Sequence, residues 1–333
     1  MILELNKKKQ FKRFLFIIIM ILRKPKFSLF KFLLTFSFIF IVFILAKFDS
    51  SLTRHFKSNL IKIERNESYD VSLEPIKNFE KITRANPILI YKQIKAIKNF
   101  YILLESSEKK YFSQNKEDGV LVKLAELINH THNGNFVEIG TESGIQTNTR
   151  YLREKYGWRG LYLDNKFKDL NLNLQRENVT HQNVLGLLEK YNVNQSSLDL
   201  LSEDTDYADY WILEQILLKY KPKLIVHEIN EQPPNICVTV LKPLSLTEWI
   251  WNSEYHGASL CAFQCLAKRF DYTIVYCESA GVNCFWMRND LLYELFGIQV
   301  DIMRKELSTE FLWRKQNFAY HQETDKDWHH VNC

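Results

Sequence analysis

The sequence predicts an α/β fold whose sheet is mostly parallel and closes with an antiparallel hairpin. Three observations lead there. From about residue 111 short apolar or β-branched runs alternate with helical patterns, a glycine-bearing loop follows the first such run, and the last two runs are separated only by a turn. A hydrophobic fraction of 46% with 14% aromatic residues provides for a packed core and excludes a disordered or collagen-like chain.

The elements follow in order. A helix starts after Lys116-Glu117-Asp118-Gly119. Asn135 to Gly140 (NFVEIG) is apolar enough for a buried first strand, Asn148 to Tyr156 is helical, and Gly160 to Asp164 (GLYLD) forms the second strand. After a possible short third strand and a helix at Gln182 to Tyr191 come strands at Leu198 to Leu201 and Leu224 to Ile229, with a helix at Asp209 to Tyr220 between them. A helix at Ala258 to Phe270 leads to strands Tyr272 to Cys277 and Val282 to Met287. So short a connection forces that last pair to be antiparallel.

Ahead of this domain (residues 111–300), the chain divides by charge and hydropathy. Residues 1–31 hold nine Lys/Arg against the single acid Glu4, a net +8, while the remainder is net −3. An acidic body gives no footprint for nucleic acid, which is excluded as a partner. The basic arm precedes an apolar segment, Phe32 to Ala46, which reaches about 20 residues when its flanks are counted, enough to cross a ~30 Å hydrocarbon core. The residues after Ala46 resemble no signal-peptide cleavage site, so the segment is read as a signal anchor. Positive charge before the span places the N-terminus in the cytosol and the body in the lumen of the endoplasmic reticulum or Golgi, a type II topology. The expected organisation is a cytosolic tail at 1–27, a transmembrane helix at 28–48, a stem at 49–110 with a helix near Pro87 to Leu104, the domain, and a C-terminal extension at 301–333.

Four Asn-x-Ser/Thr sequons, at Asn66, Asn129, Asn178 and Asn194, would suit a lumenal glycoprotein. All six cysteines fall in the last hundred residues. Cys277 and Cys284 flank the hairpin turn and either pair across it or stay as buried thiols. Cys261 and Cys265 stand one helical turn apart and are expected in the core, and His329-His330 in a frayed tail.

The chemistry lies at the strand ends. Glu138-Ile-Gly140-Thr-Glu-Ser-Gly144 puts two glycines in a sharp turn after the first strand, where the backbone can approach a ligand closely. About twenty residues after the second glycine, Asp164 ends the next strand, where an acid can accept ribose hydroxyls. Asp204, Asp206 and Asp209 follow the fourth strand, with Glu228 and Asn230 after the fifth. These acids can take a proton from an acceptor hydroxyl or hold a divalent cation that lowers its pKa. The alternative for Asp209 is an N-cap of the helix that follows.

Ser113-Gln114-x-x-Glu117-Asp118-Gly119, Phe136 to Gly140 with Gly144 and Asn148-Thr149, and Gly157-Trp158-Arg159-Gly160-Leu161 running to Asp164 together resemble the FkbM-type family of S-adenosylmethionine-dependent methyltransferases. Asp199 to Asp206, Asp209-Tyr210-Trp211, His227 to Asn230 and Tyr255 to Leu260 resemble a membrane-anchored branch of it. The resemblance implies a Rossmann-like class I methyltransferase sheet. It implies that Glu138, Gly140 and Gly144 line the methionine end of S-adenosylmethionine, that Asp164 holds its ribose, that Gln114 and Asn148 close over it, and that Asn183 meets the adenine. The expected activity is O-methyl transfer to a glycan or glycolipid acceptor, with Asp204, Asp206, Glu228 and Asn230 as catalytic residues. A non-catalytic membrane adaptor that keeps the fold and a lumenal glycosyltransferase are the alternatives.

Overall fold

The computed structural model describes residues 87–243, 254–297, 299–316 and 327–333, all within a compact unit spanning Phe79–Cys333. The transmembrane segment, the cytosolic tail and Asn66 lie outside the described residues. Among the described residues no helix is long and apolar enough to cross a membrane.

The helices are α1 (Pro87–Glu105), α2 (Glu117–Leu127), α3 (Arg150–Tyr156), α4 (Val184–Lys190), α5 (Asp209–Lys219), α6 (Leu260–Arg269), α7 (Asn289–Phe296), α8 (Val300–Glu306) and α9 (Thr309–Leu312). The strands are β1 (Asn135–Ile139), β2 (Arg159–Asp164), β3 (Leu174–Arg176), β4 (Leu200–Glu203), β5 (Leu224–Glu228), β6 (Val238–Val240), β7 (Tyr272–Cys277), β8 (Asn283–Arg288) and β9 (Trp328–His330). Seven strands form one sheet in the order β3-β2-β1-β4-β5-β8-β7. The first five are parallel, β8 runs antiparallel to β5, and β7 antiparallel to β8. A mostly parallel α/β sheet with one reversed strand near its edge is compatible with a Rossmann-like methyltransferase layout.

Strands covered by helices on both faces lose the alternation of a half-exposed sheet, and the sequence shows it: all of β4 and β7 and four of five residues of β1 are buried. Trp286 of β8 is fully buried with its ring against His227 of β5 and Phe263 of α6. Helix α6 is started by Ser259, whose hydroxyl accepts a hydrogen bond from the Ala262 amide.

Three boundaries differ from the sequence expectation. Helix α1, assigned to a stem, buries Ile97, Phe100, Tyr101 and Leu104 in the same core, with Phe100 against Phe296 and Tyr101 against Tyr276. Its apolar residues recur at i, i+3, i+4 and i+7, so one face docks while the rest stays wet. Residues 301–333 are not an appendage either, because α8 packs on α1 and β7. His329 and His330, expected in a frayed tail, form β9 and pair antiparallel with β6, His330 opposite Val238.

All six cysteines are paired: Cys277 with Cys284 across the β7–β8 hairpin, Cys237 with Cys261, and Cys265 with Cys333. The hairpin pair settles the open choice for Cys277 and Cys284. Cys261 and Cys265, expected as core thiols, are instead bonded to residues distant in sequence, which helical spacing alone does not reveal.

Candidate functional site

Loops leave β1 and β4 on opposite sides of the sheet at the point where strand order reverses, and ligands of open α/β folds bind in the crevice this creates. The two loops touch. Gly140 has φ +78°, and a Cβ there would stand 1.5 Å from the carbonyl oxygen of Asp204. Only glycine fits both the left-handed backbone and that approach. The Asp204 amide in turn donates to the carbonyl of Ile139 at 3.2 Å. Gly144, φ +75°, closes the turn with its amide on the carbonyl of Thr141 at 2.9 Å.

Two buried carboxylates hold this loop. Glu138 accepts the amides of Asn148 (2.7 Å) and Thr149 (3.0 Å) and the Thr149 hydroxyl (2.5 Å), which anchors the start of α3. Burial raises its pKa to about 7 despite those bonds. Asp164 accepts the Glu142 amide through Oδ2 at 2.8 Å, and the amides of Lys166 (2.7 Å) and Phe167 (3.0 Å) through Oδ1. It thus clasps the loops after β1 and β2 together. Asn148 donates from its side chain to the Ser202 hydroxyl of β4 at 3.1 Å. Glu138, Gly140, Gly144, Asn148 and Asp164 therefore share one edge of the sheet. Asn183 is placed differently, exposed and bonded to its own turn at Asn178 and Thr180, while Gln114 is exposed three residues ahead of Glu117 in the segment that leads into α2.

Beside this loop lies an acidic group built by the ends of β4 and β5. Carboxylate oxygens of Asp204, Asp206 and Glu228 lie within 4.8 Å of one another. Burial first, then mutual repulsion, raises the pKa of Asp204, Glu203 and Glu228 well above the usual carboxylate range. Asp206 is more exposed, and desolvation followed by the charges of Asp209 and Glu142 lifts it to about 6. Among the described residues none of these acids, nor Asp209, has a Lys or Arg within salt-bridge distance.

Asp209 and Asn230 take other places than expected. Asp209 is fully buried and turns back to accept the Thr205 amide (2.6 Å) and hydroxyl (3.1 Å), so it neither caps α5 nor joins the trio; Glu228 stands there instead. Asn230 donates both amide hydrogens to the carbonyls of Glu254 (2.9 Å) and His256 (3.0 Å) and accepts from the Gln232 amide (3.1 Å). It is a backbone clamp. Sequence reasoning missed Glu203 and Glu117. Buried Glu117 accepts from the Asn283 side chain at 2.7 Å, and Asn283 sits opposite Glu228 in the sheet register, so the start of α2 is tied to this edge. The acidic run Glu203-Asp204-Thr205-Asp206 was the available signal for the first of these.

No family model and no curated protein matches the chain. Among solved structures, the chain is similar to a Galdieria sulphuraria protein described as a candidate sarcosine dimethylglycine methyltransferase, at 14% identity over 65% of this chain and 85% of that one, with a TM-score of 0.30. Likeness at that level fixes neither reaction nor ligand.

Proposed function

We propose that the chain is an S-adenosylmethionine-dependent O-methyltransferase of FkbM type, anchored as a type II membrane protein and acting on a glycan or glycolipid hydroxyl in the lumen. The observation that carries this reading is the contact of the Gly140 turn with the Asp204 loop where strand order reverses, which sets a nucleoside-type loop beside unpaired carboxylates. The residues fit the cofactor in charge, since an acidic edge suits a sulfonium and an ammonium. They also fit in hydrogen-bonding capacity, since the buried hydroxyl of Thr141 has no partner among the described residues. Bound there, S-adenosylmethionine would supply an electrophilic methyl group. Asp204, Asp206 and Glu228 offer the oxygen donors that a divalent cation such as Mg²⁺ takes, and that ion would lower the pKa of an acceptor hydroxyl. The protein's own work is positioning and proton transfer: Glu138 and Asp164 fix the loops, and Asp204, ionised once a bound cation offsets the repulsion around it, would take the proton the hydroxyl gives up.

The lumenal placement is supported by the basic arm ahead of the apolar segment, by three disulfides of a kind that persists in oxidising compartments, and by exposed sequon asparagines at 129, 178 and 194.

One observation favours a second reading, a non-catalytic adaptor. Both oxygens of Asp164 are already engaged by the protein's own amides, as they would be in a fold kept only for its shape. Calorimetric titration of the purified full chain with S-adenosylmethionine decides. Saturable binding, weakened about tenfold or more in Asp164→Ala for the lost charged hydrogen bonds, supports the enzyme. No heat at millimolar ligand supports the adaptor.

A further inference from the structure

We propose that Cys237, Cys261, Cys265 and Cys333 form a four-thiolate metal site in the reduced chain, suited to zinc. Their four sulfur atoms all lie within 4.8 Å of one another, although they come from the segment before β6, from two positions on α6 and from Cys333, which follows β9. Zinc–thiolate bonds of about 2.3 Å place the sulfurs of a tetrahedral site about 3.8 Å apart, so once the Cys237–Cys261 and Cys265–Cys333 bonds are reduced each bonded pair opens by about 2 Å while the two pairs already stand within reach of one ion. The third cysteine pair is different in kind. Cys277 and Cys284 face each other on adjacent strands, outside this cluster, and act as a simple staple.

The cage does not depend on sulfur–sulfur bonds for its shape. The Val331 amide donates to the carbonyl of Cys237 at 2.9 Å. One residue on, the Val238 amide donates to the hydroxyl of Ser259, and the Ser259 amide returns a bond to the Val238 carbonyl at 2.8 Å. Since Ser259 caps α6, these hydrogen bonds hold Cys237 and the segment leading to Cys333 beside the first turns of that helix without any sulfur–sulfur bond. Cys261 lies in that first turn, where the helix dipole favours the thiolate. Cys265 is one turn further on the same face. Soft thiolate donors in a closed set of four select zinc over the hard cations that suit the acidic trio. The site is separate from the proposed methyl-transfer centre; in an oxidising lumen the same four sulfurs rest as the two disulfides, and the metal is taken up only when they are reduced.

The test uses the full chain, reduced with dithiothreitol, desalted without oxygen and titrated with Co²⁺ as a spectroscopic probe. One equivalent should produce the intense ligand-field and sulfur charge-transfer bands of a tetrahedral cobalt thiolate, and Zn²⁺ should bleach them. Cys265→Ser should weaken cobalt binding by about a hundredfold or more, because the ion loses one of its four ligands. The double variant Cys277→Ser/Cys284→Ser should keep the bands, which separates the cage from general thiol binding. Zinc should also raise the melting temperature of the reduced parent, a readout that an unfolded chain binding metal would not give. A weak octahedral cobalt spectrum, bands that survive in Cys265→Ser, or a melting temperature unmoved by zinc would overturn the assignment.

Discussion

Gly140→Ala tests whether the β1 and β4 loops are built as one piece. The added Cβ would stand 1.5 Å from the Asp204 carbonyl oxygen and 2.7 Å from its carbon, both backbone atoms that no side-chain rotation can move aside. Holding alanine at φ +78° costs about 1–2 kcal/mol, and displacing the β4 loop adds about 1–3 kcal/mol by analogy with overpacked cores. The expected loss is therefore about 2–5 kcal/mol, and at about 2–4 °C per kcal/mol for a unit of this size the melting temperature should fall by about 10 °C. Gly144→Ala is the matched control. Its φ is similar, but its Cβ would meet only side-chain tips, Leu172 Cδ1 at 3.0 Å and Leu174 Cδ2 at 3.8 Å, so about 1–2 kcal/mol is expected. Thermal melts by circular dichroism on both variants give the answer. If the two lose the same stability, the Asp204 carbonyl does not rest on Gly140 and the loops are not coupled.

Two further outcomes follow. Removal of N-glycans from membrane preparations should sharpen the mobility of the full chain, and protease added outside sealed vesicles should spare residues beyond 48; digestion of that body would reverse the proposed orientation. Burial holds Glu138 and Glu278 near pH 7 in the folded protein, against about 4.3 for Glu in an unfolded chain, so the folded state binds more protons between those values. Stability should accordingly fall as pH rises from about 5 to 7, and Glu278→Gln should flatten part of that slope; an unchanged slope would mean the carboxyl is not held protonated.

Strands β1, β2, β4 and β5 were legible because burial on both faces makes them short continuous apolar runs, and each stood within two residues of its expected place; β3, Leu-Gln-Arg with only Leu174 buried, carries no such run and had no expected bounds. The turn between Cys277 and Asn283 was legible for a similar reason, since Gly281 punctuates two apolar runs. Strand β9 was not: Trp328-His329-His330 carries no alternation, and its pairing with β6, itself three residues long, is a long-range contact that local pattern does not show. Which elements share a core was hidden for α1 because helical periodicity shows that a face is apolar but not what covers it. At the site, residue type gave the acids and glycines but not their partners. Asp118, which reads as a candidate helix-start acid, instead accepts the amides of Tyr111, Phe112 and Ser113 and the Ser113 hydroxyl, all through one oxygen. Asn230 reads as a polar residue at a strand end, and only the return of the chain at Glu254 and His256 makes it a clamp.

The acidic trio carries its own argument about function, because clustering like charges costs stability and only the charge of Lys166, acting on Asp206 from beyond salt-bridge distance, works against it. Asp206 isolates that cost. It is the most exposed of the three, and its backbone is left-handed at φ 64°, a conformation that asparagine adopts as readily as aspartate. Asp206→Asn therefore keeps shape and backbone while deleting one charge from the group formed with Asp204 and Glu228. If the cluster is held together against its own repulsion, the variant should be more stable than the parent by about 0.5–2 kcal/mol in metal-free buffer, and should melt a few degrees higher. The gain should shrink when millimolar Mg²⁺ is added, since the ion would relieve the parent's repulsion and find one oxygen ligand fewer in the variant. Differential scanning calorimetry with and without Mg²⁺ measures both effects. A variant less stable than the parent in metal-free buffer would mean that Asp206 has a favourable partner in the folded protein, and the trio would then be a structural network and not a site waiting for a cation.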